Sequence, residues 1–146
     1  NTDQAAEAQV YQRTYEQLVL PSAPAPPPSV EYVEGVGVGH LLPAHWQAST
    51  QSPVPLEGKP MTLTTYRHGI MALSRAGEII MLMVCQGYAG TSTYGMKIGS
   101  RTTEVLARYG VPSRRMELTS GQHWAYDTHR IAFQLRDGQV VSWLVF

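Results

Sequence analysis

Five histidines, at positions 40, 45, 68, 123 and 129, and a single cysteine, Cys85, hold most of the reactive chemistry in this chain. His40 and His45 stand five apart beside Trp46, a spacing that puts them on different faces of a regular helix. A metal site needs at least a third ligand, and no cysteine or acidic residue is close to them in sequence. His123 and His129 flank Trp124, Tyr126 and Asp127, and Ser120 or Ser142 could complete a serine–histidine–aspartate relay. Such relays are defined by geometry, however, and no Gly-x-Ser-x-Gly elbow is present. His68 and His129 precede equivalent strands, where an exposed turn histidine is the simpler reading. Gly35-x-Gly37-x-Gly39 has half the pattern of a phosphate-binding loop, without the strand–loop–helix context or the following Lys-Ser/Thr. Arg114-Arg115 before Glu117 could meet an anionic partner or form a solvated strand edge. Cys85 ends an apolar run from Ile79, which suits a small buried hydrophobe better than a nucleophile. No catalytic residue, metal ligand or cofactor site is therefore assigned. A small histidine-dependent hydrolase or metal-binding protein is the alternative reading.

The aromatic residues are better candidates. Three tryptophans and eight tyrosines are many for 146 residues, and exposed Trp and Tyr are the usual anchors of protein interfaces. Trp46, Tyr88, Tyr94, Trp124 and Tyr126 are the partner-binding candidates, with Tyr88 and Tyr94 in the segment joining the two halves of the chain.

Charge is balanced, 11 basic residues against 11 acidic, so no field favours nucleic acid. No apolar run approaches the roughly 20 residues that span a bilayer. With one cysteine no intrachain disulfide can form. An apolar content of 43% is enough for a packed core.

The elements that must position these residues follow a repeat. Ile70, Arg75, Gly77, Ile79 and Val84 recur as Ile131, Arg136, Gly138, Val140 and Val145, all at an offset of 61. Gly35 to Gly39 recur as Gly95 to Gly99 at an offset of 60. A period this long marks a supersecondary unit used twice. In the second unit Ser100 caps a helix over residues 101–109, stopped by Gly110 and Pro112. Strands follow at Arg115–Leu118, His123–Tyr126 and Ile131–Leu135, the last turning through Asp137-Gly138 into Gln139–Phe146. In the first unit residues 40–46 occupy the helix slot, and Pro43 limits them to a turn or two. Residues 51–60, with three prolines, read as a loop before strands at Met61–Tyr66, Gly69–Arg75 and Glu78–Cys85. The expected fold is α+β: two tandem helix-plus-antiparallel-meander repeats forming a two-layer sandwich with one continuous sheet.

Before these units, residues 1–20 read as a helix with Ala8, Tyr11, Tyr15, Leu18 and Val19 on one stripe. Residues 21–29 form a Pro-rich linker, a semi-rigid spacer. The division is residues 1–20 helix, 21–29 linker, 30–87 first repeat and 88–146 second repeat. A start on Asn1, without Met, suggests a processed or truncated product of a lipoprotein, a secreted protein or a longer chain.

The string Gly-Met-Lys-Ile-Gly-Ser-x-x-x-Glu-Val-Leu-x-x-Tyr-Gly-x-Pro from Gly95, with Trp124-x-Tyr126 and the closing Asp-Gly hairpin, resembles the SmpA/OmlA (BamE-like) module. The β-lactamase inhibitor protein fold holds two tandem copies of a similar unit. The resemblance is good over Gly95 to Phe146 and covers only the ends of Gly35 to Cys85, where Pro43 interrupts the helix and no Trp-x-Tyr occurs. It implies a non-enzymatic binding or assembly module of the bacterial cell envelope, periplasmic or at the outer membrane, often lipid-anchored. It further implies as partner another envelope protein or a secreted enzyme, bound through the sheet face or the inter-repeat surface.

Overall fold

The computed structural model describes residues 31–146, so the helix expected over residues 1–20 and the linker over 21–29 lie outside the described residues. Eight strands follow in chain order: β1 Ala48–Leu56, β2 Lys59–Tyr66, β3 Ile70–Arg75, β4 Glu78–Val84, β5 Arg114–Leu118, β6 Gly121–Tyr126, β7 Ile131–Arg136 and β8 Gln139–Val145. One helix, α1 Thr102–Tyr109, separates β4 from β5. The strands form one antiparallel sheet in the order β1-β2-β3-β4-β8-β7-β6-β5, joined at its centre by Leu82, Met83 and Val84 pairing with Val145, Leu144 and Trp143.

The β3–β4 and β7–β8 hairpins close through Ala76-Gly77 and Asp137-Gly138. All four residues have positive φ, 52° and 82° in the first and 52° and 73° in the second. This is the two-residue turn whose twist matches that of the flanking strands. Both hairpins also carry an irregularity at corresponding places, Leu73/Ser74 and Gln134/Leu135. A loop docks beside each in the same way. Gly39 N–H donates to Ile79 O at 2.8 Å and Ile79 N–H to His40 O at 2.9 Å; Gly99 N–H donates to Val140 O and Val140 N–H to Ser100 O, both at 2.8 Å.

This architecture overturns the expected α+β sandwich of two helix-plus-meander repeats. The described residues form mostly one large sheet with a single eight-residue helix. Residues 40–46 make no helix: Pro43 has no N–H to give, and Leu42 N–H is spent on Gly77 O at 2.9 Å. The expected loop over residues 51–60 is a second correction. Most of it is β1, with Pro53 and Pro55 opposite Thr62 and Pro60. Proline is tolerated there because β1 is an edge strand, with an outer row of backbone groups that pairs with nothing in the sheet.

Helix α1 starts one residue later than expected. Glu104 accepts the Arg101 backbone N–H at 3.3 Å, whereas the Ser100 hydroxyl closes the preceding turn by accepting the Lys97 N–H at 2.9 Å. Among the described residues no helix is long and apolar enough to cross a membrane.

The pleat sorts the side chains onto two faces. On one, Tyr66, Ile70, Leu82, Val84, Trp124, Phe133, Trp143 and Val145 are covered by Val33, Val38, Trp46, Tyr88, Met96, Val105 and Tyr109 from the loops and α1. Full burial of each aliphatic side chain here contributes roughly 1.5–3 kcal/mol. On the other face a second cluster joins Leu56, Met61, Leu73, Met81, Ala125, Ala132, Leu144 and Phe146. Those residues all belong to the strands or end the chain.

Candidate functional site

Three chain segments distant in sequence meet where the segment between β4 and α1 crosses the covered face. Glu31 is only 1% exposed, and its carboxylate accepts the Tyr109 hydroxyl at 2.5 Å and the Thr93 backbone N–H at 3.0 Å. Because the Tyr109 proton goes to Glu31, the Ser92 hydroxyl is the donor in its 2.9 Å contact with Tyr109. Ser92 Oγ in turn accepts the Met96 N–H at 3.0 Å. Burial, together with the Glu31 hydrogen bond and charge, pushes the Tyr109 phenol well above its ordinary range, so it remains a donor at neutral pH.

On the outside of this clamp lie Tyr32 and Tyr94, 43% and 47% exposed. Tyr32 donates its N–H to Thr93 Oγ1 at 3.4 Å, and its ring lies 6.0 Å from that of His40. Tyr94 stands edge-on to Tyr109 and His129, at centroid distances of 5.3 and 5.4 Å. The two exposed rings therefore flank one hydrogen-bonded anchor, on backbone that the buried Glu31 holds in place. Their solvent-facing surface and rigid support suit contact with another protein better than bond-making chemistry.

The other candidates are placed differently. Trp46, Tyr88, Trp124 and Tyr126 are 8%, 8%, 3% and 3% exposed. They are core residues and present no free ring face. Trp46 stands edge-on to His68 at 4.9 Å, and Tyr88 packs between His68 and Trp143. His68 Nε2 lies 3.5 Å from Glu34 Oε2. Burial, then the charge and hydrogen bond of Glu34, push the Tyr88 phenol up to about 12. Burial also raises the Tyr126 phenol to about 12, against a smaller lowering by Arg115, and its hydroxyl donates to Gly110 O at 2.9 Å.

The serine–histidine–aspartate grouping is not assembled. His123 is on the second face of the sheet, with Gln134 between it and Ser142 in the strand register. Asp127 is 3.0 Å from Arg114 instead. His129 packs among Tyr94, Tyr109 and Tyr126. Burial raises the Cys85 thiol, which keeps it protonated and a poor nucleophile. Among the described residues no group of three or more His, Cys, Asp or Glu side chains could hold a metal ion.

One open groove of about 770 Å³ lies on the covered face, where the β5–β6 and β7–β8 turns meet the start of α1. Its wall holds the Arg115 guanidinium 4.7 Å over the Trp124 ring, whose Nε1–H donates to Gln122 at 2.8 Å. Arg115 and Arg136 face Glu117 and Asp137 around it, so it favours neither charge sign.

Sequence reasoning left Glu31 and Tyr32 unassigned. Nothing local marks them, since their partners lie 61 to 78 residues away. In comparisons with protein families, with curated proteins and with solved structures, nothing matches the chain.

Proposed function

We propose that this protein is a non-enzymatic protein-binding module of the bacterial cell envelope, engaging another envelope protein or a secreted enzyme. The binding surface is the one between the two halves of the sheet, with Tyr94 and Tyr32 as its anchors. One observation carries the reading: two exposed tyrosines flank the segment clamped by Glu31. Rigid aromatic side chains lose little conformational freedom on binding, which makes them efficient anchors. The envelope setting rests on the Pro-rich segment at residues 21–29 and on the motif likeness from Gly95 to Pro112.

The test is capture from an envelope extract by the immobilised protein, comparing wild type with Tyr32→Ala and Tyr94→Ala. Val111→Ala, an exposed residue beyond α1, is the control. A specific partner should be lost with either tyrosine variant, with affinity down at least about tenfold, and kept by the control. Equal capture by all four proteins would remove these residues from the binding surface.

A further inference from the structure

The outer edge of β5 carries a charge pattern that complements itself. In the sheet order β5 is terminal, and among the described residues no strand pairs with its outer row of backbone groups. Leu118 and Gly121 pair across the two-residue turn Thr119-Ser120, which makes them a hydrogen-bonded pair. Such pairs alternate along an antiparallel ladder, so Met116 and Arg114 also spend their backbone groups on β6. The Ser113 N–H continues the inward bonding, donating to Ala125 O at 2.8 Å. The backbone N–H and C=O groups that face outward are therefore those of Arg115 and Glu117. Their side chains are exposed on the face that bears the groove, where both form part of its wall. Met116, half-buried, lies on the other face opposite His123.

We propose that β5 is a contact between two copies of this chain, paired antiparallel about a two-fold axis at Met116. The outward groups of two copies can meet in a register centred on Arg115, on Met116 or on Glu117. Centring on Arg115 sets it against itself, and centring on Glu117 does the same for the carboxylates. Like charges directly opposite are destabilising. Centring on Met116 instead sets Arg115 against Glu117 of the second copy, and Glu117 against its Arg115. Each of these two pairs exchanges two backbone hydrogen bonds and meets its opposite charge, with Cα atoms roughly 5.5 Å apart. On the other face Met116 meets its own copy at a Cα separation of about 4.5 Å, where flexible thioethers pack readily. Charged side chains on a sheet edge ordinarily oppose pairing; here they select one register. Each groove is then bordered by Glu117 of the second copy, next to the Arg115 guanidinium that lies over Trp124. This edge is distinct from the surface carrying Tyr32 and Tyr94, and its use does not rest on the envelope reading.

Sedimentation equilibrium of the whole 146-residue chain tests the assignment. A five-residue strand makes a small contact, so a reversible monomer–dimer equilibrium should appear between about 1 μM and 1 mM. Arg115→Glu and Glu117→Arg each set like charges opposite in both pairs, and each should weaken self-association at least about tenfold. An equimolar mixture of the two variants should associate as strongly as wild type, because every charge again meets its opposite. A monomer at all concentrations would overturn the proposal. So would a dimer that neither charge reversal weakens, or two variants that stay apart when mixed. If a charge variant does not fold, Glu117→Pro decides, since its ring removes an outward-facing N–H and none of the β5–β6 bonds. Loss of the dimer with an unchanged urea midpoint supports the assignment. A Glu117→Pro chain that still dimerises, or that no longer folds, rejects it.

Discussion

Tyr109 donates its hydroxyl proton to Glu31 across 78 residues of sequence, tying the last turn of α1 to the first described residue of the chain. Tyr109→Phe removes one donor from a buried carboxylate and should cost about 1–3 kcal/mol in a urea unfolding experiment. Adding Glu31→Gln to Tyr109→Phe should cost less than the two single changes together, because they share one bond. Strict additivity in that cycle would show the contact to be energetically idle.

Acid sensitivity should centre on His123. Burial lowers its imidazole to about 4, with the Gln134 hydrogen bond opposing and the Arg114 charge adding to that shift. The unfolded chain therefore takes up a proton near 6.5 that the folded chain refuses until about 4. Stability is complete above about pH 6.5 and falls as pH drops to about 4, by up to about 3 kcal/mol. His123→Gln should flatten this dependence, and a wild-type slope retained in the variant would assign it to another group.

At the alkaline end the sign reverses. The Tyr88 and Tyr126 phenols ionise near 10 when unfolded and near 12 when folded. Their contribution is complete below pH 10 and is lost as pH rises towards 12. Denaturation curves across that window should show falling stability, with a shallower fall in Tyr88→Phe. Tyrosinate absorbance showing all tyrosines ionising near 10 while the fold persists would contradict this.

Gly69 lies at φ 89°, and a Cβ built there would sit 2.5 Å from the Tyr88 backbone nitrogen. Its carbonyl also accepts the Cys85 N–H at 2.8 Å, which holds the two segments together. Gly69→Ala should therefore destabilise the fold by about 2–4 kcal/mol and lower the midpoint of urea unfolding accordingly. A midpoint within experimental error of wild type would show that this approach can relax.

The opposite sign is expected at Ala76. It occupies the first turn position of the β3–β4 hairpin at φ 52°, where Asp137 serves in the matching turn. Asparagine tolerates that conformation better, so Ala76→Asn should stabilise by about 0.5–1 kcal/mol. A lower melting temperature in the variant would contradict the turn assignment.

The hairpins were legible because Ala76-Gly77 and Asp137-Gly138 stand between alternating apolar runs, a signal contained within a few residues. Helix α1 is legible from Gly110 and Pro112, although the sequence signal puts its start one residue early. Strand β1 is hidden in the sequence because its prolines carry a loop signal, and only the neighbouring strands reveal that β1 is an edge. The reading of residues 40–46 as a short helix failed for a related reason. Their backbone groups bond to the β3–β4 turn, a long-range choice that propensity does not record. Of the aromatic candidates, only Tyr94 keeps an exposed ring, because side-chain type cannot tell which face of a strand or loop meets the core. Tyr32 and Glu31 gain their places from contacts more than sixty residues away.

The prolines of β1 have a consequence for growth into larger assemblies. The sheet has two outer edges, and Pro53 and Pro55 make that of β1 a poor template for an incoming strand. The edge at β5 is a five-residue strand without proline. Two copies pairing β5 to β5 would form a closed, two-fold pair whose outward edges are both the proline-bearing kind. Strand pairing through these edges of residues 31–146 would therefore close at a dimer, and the same prolines that obscure β1 in the sequence would oppose further growth into a fibre.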